Sequence, residues 1–427
     1  MSDEQAALPA ALPAALPAAL PAYLEPFRET PELRTRLEAL LQAFADAVGN
    51  GQQQRDAAWY RTVGVTVGGS ELGALLGYSP YSSFNDVVLA KAEMMRGTYR
   101  RAPGNTACNW GTVLEDVITP CVEAALGGRV IGDSICIQMY EGHRNSPDGY
   151  AVVPWWVGGD GRLELALPGD APGGRPRVLL PVLLEFKCPL SRLPDGQIPR
   201  HYLPQVLSGL MVSPPAALGL FVDCVIRRCT LPQLGPGPGY DGLFHRQERE
   251  PALAARPPCA WGVMWLYGAA ADGELWRTYP LRPRPKPPGQ PPLPPQPHDL
   301  GAGPGRLFEQ ALAWLTAGRL RRAVRCWSAH ADGRGWAPAA AADLAAPAPP
   351  PGYRLWGAFP WKLLEVNYSP VVRQADFAAQ VLPLVQEALR RARELAAAGP
   401  VPQDADDEKT LYDPEGDTAE LAALLGE

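Results

Sequence analysis

Two short segments carry side chains that could do chemistry together: SPDGY at residues 146–150 and LLEFKCP at residues 183–189. Glu185 and Lys187 stand two apart in a strand-like run, so both project from one face while Phe186 points the other way. The run that leads to them, Leu179, Leu180, Val182, Leu183 and Leu184, reads as buried, where an unpaired charge is costly. Glu-x-Lys alone is common surface patterning, and Ser-Pro-Asp-Gly alone is ordinary turn chemistry. Together, Asp148, Glu185 and the Phe186 carbonyl offer hard oxygen ligands, which suit Mg²⁺ or Mn²⁺ rather than zinc. Of the 39 Lys plus Arg residues only five are lysine (Lys91, Lys187, Lys286, Lys362 and Lys409), so arginine fills most positions that need only positive charge. Lys187 therefore asks for a chemical reason. A lysine is a compact point charge whose pKa follows its surroundings, suited to holding a water or offsetting charge on a phosphate.

Two helical patterns supply further candidates. In NWGTVLEDVITPCVEAALGG, Glu115 shares a face with Gly111, Ile118 and Val122, whereas Asp116 lies with Thr112, Thr119 and Glu123 on a more solvated side. Glu115 is the member that could reach a metal. In HYLPQVLSGLMV, Tyr202 and Gln205 fall on one face, with Leu203, Val206 and Leu210 on the other. Gln205 could ligate a water or a phosphate oxygen, and capping or core satisfaction would explain it equally well.

The elements that must position these groups follow from punctuation and periodicity. TPELRTRLEALLQAFADAVGNG predicts a helix with Thr30 as N-cap, Pro31 at the first helical position and Gly49 as the stop. LGLFVDCVIRRC, AWGVMWLYGA, ELWRTYPL and WKLLEVNYSP read as strands; RLFEQALAWLTAGRLRRAVRCW reads as a helix with basic residues along one side, and FAAQVLPLVQEALRRARELAAAG as a closing helix. Residues 1–29 form a low-complexity tail with four AALP copies. Residues 30–279 form the core, with every motif between 59 and 230. Residues 280–304 are a Pro-rich linker or loop, residues 305–399 complete the core, and residues 400–427 are an acidic tail.

Net charge −6 and a pI near 5.6 exclude a protein that coats nucleic acid by bulk charge, though not one with a local basic groove. Eight scattered cysteines without a CxxC pair argue against structural zinc and for a reducing compartment. The acidic, proline-punctuated start is unlike a signal peptide, and no window approaches a membrane span. The expectation is a soluble intracellular protein, with nucleus and cytoplasm both open.

The ordered set AWYRTVGVTVGGSELGALLG, NWGTVLED, NSPDGY, LLEFKCP and HYLPQVLSGL resembles the YqaJ-type viral recombinase nucleases, which include phage lambda exonuclease. These belong to the PD-(D/E)xK superfamily, with herpesvirus alkaline nucleases as distant members. The resemblance covers roughly residues 59–230 and extends to WKLLEVNYSP and its following helix. It implies a restriction-endonuclease-like α/β core, a central mixed sheet flanked by helices. It implies that Asp148 and Glu185 bind two Mg²⁺ (or Mn²⁺) ions with help from the Phe186 carbonyl, that Glu115 completes the acidic cluster, and that Lys187 orients the attacking water. Gln205 matches the family's helix glutamine. Ser70, with Ser146 and Tyr202, falls where the family meets nucleic acid and its terminal 5′-phosphate; Arg61 lies near the phosphate-binding arginine, at a different spacing. The long stretch between Asp148 and Glu185 reads as an added hairpin and loop.

The implied activity is a metal-dependent 5′–3′ exonuclease on duplex DNA ends. It would leave 3′ single strands for an annealing partner in recombination or viral DNA processing. Relatives can form rings around DNA, so a homo-oligomer is allowed. Arg227, Arg228 and the helix carrying Arg319, Arg321, Arg322 and Arg325 are candidates for backbone contacts. Three alternatives stay open: an endonuclease or RNA-degrading nuclease on the same fold, a non-catalytic DNA-binding relative, and an iron–sulfur nuclease, for which Cys224 and Cys229 are too few.

Overall fold

The computed structural model describes residues 22–48, 62–99, 106–133, 135–158, 160–167, 175–190, 192–230, 233–240, 250–278, 305–328 and 346–399. The AALP tail, Gly49, Arg61, the Pro-rich segment after residue 278 and the acidic tail lie outside the described residues.

Nine strands are present among them: β1 (Val67–Gly68), β2 (His143–Arg144), β3 (Gly149–Val157), β4 (Leu163–Leu165), β5 (Arg177–Lys187), β6 (Leu218–Arg228), β7 (Ala260–Ala269), β8 (Leu320–Ser328) and β9 (Tyr353–Val372). The longer helices are α1 (Pro31–Val48), α2 (Phe84–Arg96), α3 (Thr106–Leu126), α4 (Leu203–Met211), α5 (Gly305–Thr316) and α6 (Phe377–Ala398). Strands β3 to β9 form one sheet in the order β4-β3-β5-β6-β9-β7-β8, with β5 and β6 parallel and the other described pairs antiparallel. The expected central mixed sheet flanked by helices is what forms. The stretch between Asp148 and Glu185 does include a hairpin, β3 with β4.

Burial explains the layering. Apolar residues of β3, β5 and β6 divide between two faces. Leu180, Val182, Leu184 and Phe186 pack with Trp110, Leu114 and Ile118 of α3 and with Leu312 of α5. Leu179, Leu183 and Phe221 pack with residues of α1, α2, α4 and α6, such as Leu41, Val88, Leu210 and Leu389. A strand covered on both faces needs a nearly continuous apolar run, which RVLLPVLLEFK supplies. Local signals fix the helix ends: the Leu33 amide donates to Thr30 Oγ1 at 3.1 Å, and Ser83 with Asp86 caps α2 reciprocally.

Two elements differ from the sequence expectation. RLFEQALAWLTAGRLRRAVRCW is a helix only to Thr316; Gly318 takes φ +70°, the chain turns, and Leu320–Ser328 becomes an edge strand paired with β7. ELWRTYPL is not a strand but opens as a helical turn, Gly273–Thr278, because Asp272 Oδ1 accepts the Leu275 amide at 3.0 Å. The arginines move accordingly. Arg227 and Arg228 are buried in the sheet, Arg227 donating to the Ile226 carbonyl at 3.0 Å, so they are not DNA-facing. Arg319 pairs with Asp272 and Glu274, and Arg322 ties β8 to Asp116 of α3. No described helix is long and apolar enough to cross a membrane.

Candidate active site

The antiparallel register of β3 with β5 pairs Gly149 with Leu184. Continued by one residue, it sets Asp148 opposite Glu185 at the end of the ladder. The Asp148 carboxylate is fixed there by the backbone itself, its Oδ2 accepting the Phe186 amide at 2.6 Å. Phe186 turns its ring into the core, as alternation requires, and leaves Glu185 and Lys187 on the opposite face. Helix α3 comes in from the other side, with Gly111 close to the Cys188 carbonyl, and presents Glu115. The result is a cleft of about 220 Å³ at the end of β5, lined by Glu115, Asp148, Glu185, Lys187, Gln205, Gly68, Gly69, Ser70, Arg144, Asn145 and Ser146.

Its floor is acidic and crowded. Glu185 is almost completely buried, and its carboxyl is pushed up to about 8 by desolvation, with Asp148 and Glu115 adding to the push and Lys187 opposing it. Lys187 forms an ion pair with Glu185. Burial works against its ammonium, yet Glu185 and Asp148 hold its pKa above the usual lysine value. The Tyr202 ring sits behind it, 5.1 Å from Nζ, and confines the ammonium to the cleft side. Among the described residues no three His, Cys, Asp or Glu side chains stand in ready-made metal-ligand geometry. The donor chemistry nevertheless fits a hard divalent cation: Asp148 and Glu115 help push up the pKa of Glu185, and a cation is what would relieve that repulsion. Such an ion would be held by Asp148, Glu185, Glu115 and the Phe186 carbonyl, in competition with the Glu185–Lys187 pair.

The opposite wall carries donors and a cation. Arg144 is nine-tenths buried, and its guanidinium lies against Gly68, where a Cβ would come within 2.1 Å of Nη1. Glu71 holds it at 3.7 Å while also accepting the Gly68 amide at 2.7 Å and pairing at 2.8 Å with fully buried Lys91. Lys91 in turn donates to the Val63 carbonyl at 2.9 Å, so a buried charge chain aims one arginine at the cleft. A second chain fixes the loop that bears Ser146 and Asp148. His143 Nδ1 donates to the Val67 carbonyl at 3.0 Å, which leaves Nε2 to accept from Ser208 at 2.9 Å, and Asn145 donates to the same hydroxyl at 2.8 Å. Desolvation lowers the His143 pKa to about 4, so this ring is neutral and positions the loop.

The cleft thus gathers Glu115, Asp148, Glu185, Lys187, Gln205, Ser70 and Ser146, and Tyr202 stands directly behind Lys187. Arg61 lies outside the described residues. Arg144 and the His143–Ser208–Asn145 chain are additions that the sequence reading did not contain. The signal available was HRN immediately ahead of SPDG, three polar residues leading into a buried strand. The described cysteines form no disulfide, and Cys121, Cys136, Cys188, Cys224 and Cys229 are buried.

Residues 58–215 match the family model of the YqaJ-like viral recombinase domain. The chain is also similar to one protein of African swine fever virus, in several isolates. With that of strain Badajoz 1971 Vero-adapted it is 27% identical over 359 residues, covering 83% of this chain and 89% of the relative. With that of isolate Tick/Malawi/Lil 20-1/1983 it is 32% identical over 235 residues, covering 54% and 64%. Among solved structures it is similar to an alkaline exonuclease, LHK-Exo from Laribacter hongkongensis, at TM-score 0.27 and 15% identity, over 39% of this chain and 73% of that one. A structure of the same exonuclease with dAMP gives TM-score 0.28 and 17% identity, over the same shares.

Proposed function

We propose that this chain, whose residues 58–215 match the YqaJ-like viral recombinase domain, is a metal-dependent DNA exonuclease that digests linear duplex from its 5′ ends. One observation carries the reading. A single cleft has an acidic floor with an embedded lysine and, facing it, a wall of phosphate-type donors.

Bound divalent ions would supply activation of water and charge neutralisation at the scissile phosphate and leaving 3′ oxygen. The protein groups do the rest. Glu185 on β5 and Glu115 on a helix, with Asp148 in the loop that its bond to the Phe186 amide ties to β5, would set the position of the ions. Lys187 would hold the attacking water by a hydrogen bond and balance the charge that builds on the phosphoryl oxygens as the water oxygen bonds to phosphorus and the bond to the 3′ oxygen breaks. The water loses a proton to solvent and the 3′ oxygen takes one up. Gln205, on α4 beside them, keeps a donor and an acceptor for the same water or phosphate. Ser70, Ser146 and Arg144 face the terminal 5′-phosphate, with Arg144 taking the part that the resemblance implied for Arg61. A phosphate monoester carries about −1.5 to −2 charge near neutrality, and a planar guanidinium matches it with two parallel hydrogen bonds. The products would be mononucleotides and a 3′ single strand, a substrate for a strand-annealing partner.

The test uses full-length protein, Mg²⁺ and linear duplex labelled at one 5′ or 3′ end, with Asp148→Ala and Lys187→Ala alongside. Expected is early loss of the 5′ label, absent in EDTA, with each variant reduced by about 10²-fold or more. Cleavage at wild-type rates in both variants would remove the proposed site, and intact DNA with every metal would remove the nuclease.

A further inference from the structure

A second feature reaches the lysine from outside the cleft, where aromatic rings run from the surface to Lys187. Tyr81 is 74% exposed, a large ring turned to solvent on a loop that is not loose. The Gly73 carbonyl accepts the amides of Tyr78 and Ser79 at 2.7 and 3.0 Å, and Ser79 Oγ accepts those of Tyr81 and Ser82 at 3.2 and 3.3 Å. The loop is also wedged from below, since a Cβ on Gly73 would come within 2.7 Å of the His201 carbonyl. Inward of Tyr81 stands His201, edge to face at 5.6 Å, then Tyr202 at 4.0 Å from His201, and then the Lys187 ammonium over Tyr202. Arg200, next to His201 in the chain, lies 4.1 Å over the half-exposed ring of Tyr78. The Nε2 atom of His201 is buried and has no hydrogen-bond partner.

Tyr81 and Tyr78 offer exposed ring surface beside a guanidinium. Flat ligands that stack, linked by a backbone that arginine can neutralise, suit them, and unpaired nucleobases combine the two. We propose that Tyr81, with Tyr78 and Arg200, is a stacking platform for the unpaired bases of a DNA strand bound next to the cleft. His201 joins it to Tyr202 and so to Lys187. The proposal rests on the nuclease reading for its substrate, but it assigns residues which that reading does not use. A fixed ring there would hold unpaired bases of the strand whose phosphate meets Lys187.

Binding of fluorescent single-stranded oligonucleotides to the full chain in EDTA tests this without any cleavage. Tyr81→Ala should weaken binding about 5- to 150-fold. The salt dependence should stay unchanged, because no charge is removed, and Tyr81→Trp should restore affinity. Arg200→Ala should instead flatten the slope of log affinity against log salt by about 0.7. A 2-aminopurine base in the oligonucleotide should be quenched by wild type and not by Tyr81→Ala. Equal affinity and equal quenching in Tyr81→Ala, or no single-strand binding by a wild type that degrades duplex, would overturn the platform and leave the nuclease standing. Capture of a protein at these rings with no oligonucleotide binding would overturn it in favour of a different partner.

Discussion

At Glu185 a proton and a divalent cation compete for one carboxylate. Burial and the neighbouring Asp148 and Glu115 push its carboxyl up to about 8, well above the unfolded value near 4.3. The sign for stability follows from linkage. A carboxyl whose folded pKa is raised favours the fold while it is protonated, so its contribution is present below the unfolded pKa and is lost as pH rises through about 8. Ion binding has the opposite trend, because the ion needs the deprotonated form. Melting of the metal-free protein should therefore soften from about pH 5 to about pH 8 and level off above it, and the gain in Tm on adding Mg²⁺ or Mn²⁺ should grow over the same interval. Glu185→Gln should flatten both trends. A cation effect on Tm that is equal at pH 6 and pH 9 in wild type would mean that Glu185 is not an ion ligand.

At the scale of elements, the β1–β2 pair decides where Arg144 points. It joins Val67 to His143 and Gly68 to Arg144, and the guanidinium rests on the bare α-carbon of Gly68. Gly68 has φ −83°, a backbone any residue adopts, so what keeps glycine there is the approach of the arginine. Gly68→Ala should fold normally, since the atom met is the mobile end of a side chain, but it should displace Arg144 from the cleft. The readout is the ratio of kcat/KM on 5′-phosphorylated over 5′-hydroxyl duplex. Arg144→Ala should lower that ratio by about 10- to 150-fold, the worth of a charged hydrogen bond, and Gly68→Ala should move it the same way. An unchanged ratio in both would detach Arg144 from the terminal phosphate. The same pair shows how far the sequence could be read. Glu185, Lys187 and Asp148 were legible because strand alternation and a turn motif are local rules, and the buried run of β5 marked its charges as costly. Arg144 was not legible, because its aim depends on Glu71 and Lys91, which reach it only through the fold. Helix α5 was read too long for a related reason. Alternation in LRRAVRCW competes with helical periodicity over so few residues, and the turn at Gly318 settled it. Arg227 and Arg228 looked like surface charge because no local rule marks a buried arginine; in the fold both lie buried on the sheet's inner strand β6, between β5 and β9.

For the molecule as a whole, the charge balance limits how DNA can be held. With net charge −6 the body repels a polyanion, so DNA has to be held by local cations, Arg144 and Lys187 of the cleft among them. That cleft, at about 220 Å³, has room for about seven waters at roughly 30 Å³ each, the scale of a phosphate group and its immediate shell. On the nuclease reading, the phosphate at one strand end is what enters it. The donor wall adds a preference of the same kind. Interior phosphates are diesters with a single charge, while a 5′ terminus offers a second ionisation that Arg144 can meet. Chemistry at the carboxylate floor should therefore depend on a free end. A relaxed circular duplex should survive conditions that consume its linearised form, and degradation of the linear form should slow as salt rises from about 50 to 200 mM, because the contacts that hold it are ionic. Comparable destruction of circle and linear form by wild type, lost in Lys187→Ala, would keep the catalytic floor and discard the end-binding wall, making the enzyme an endonuclease on the same site.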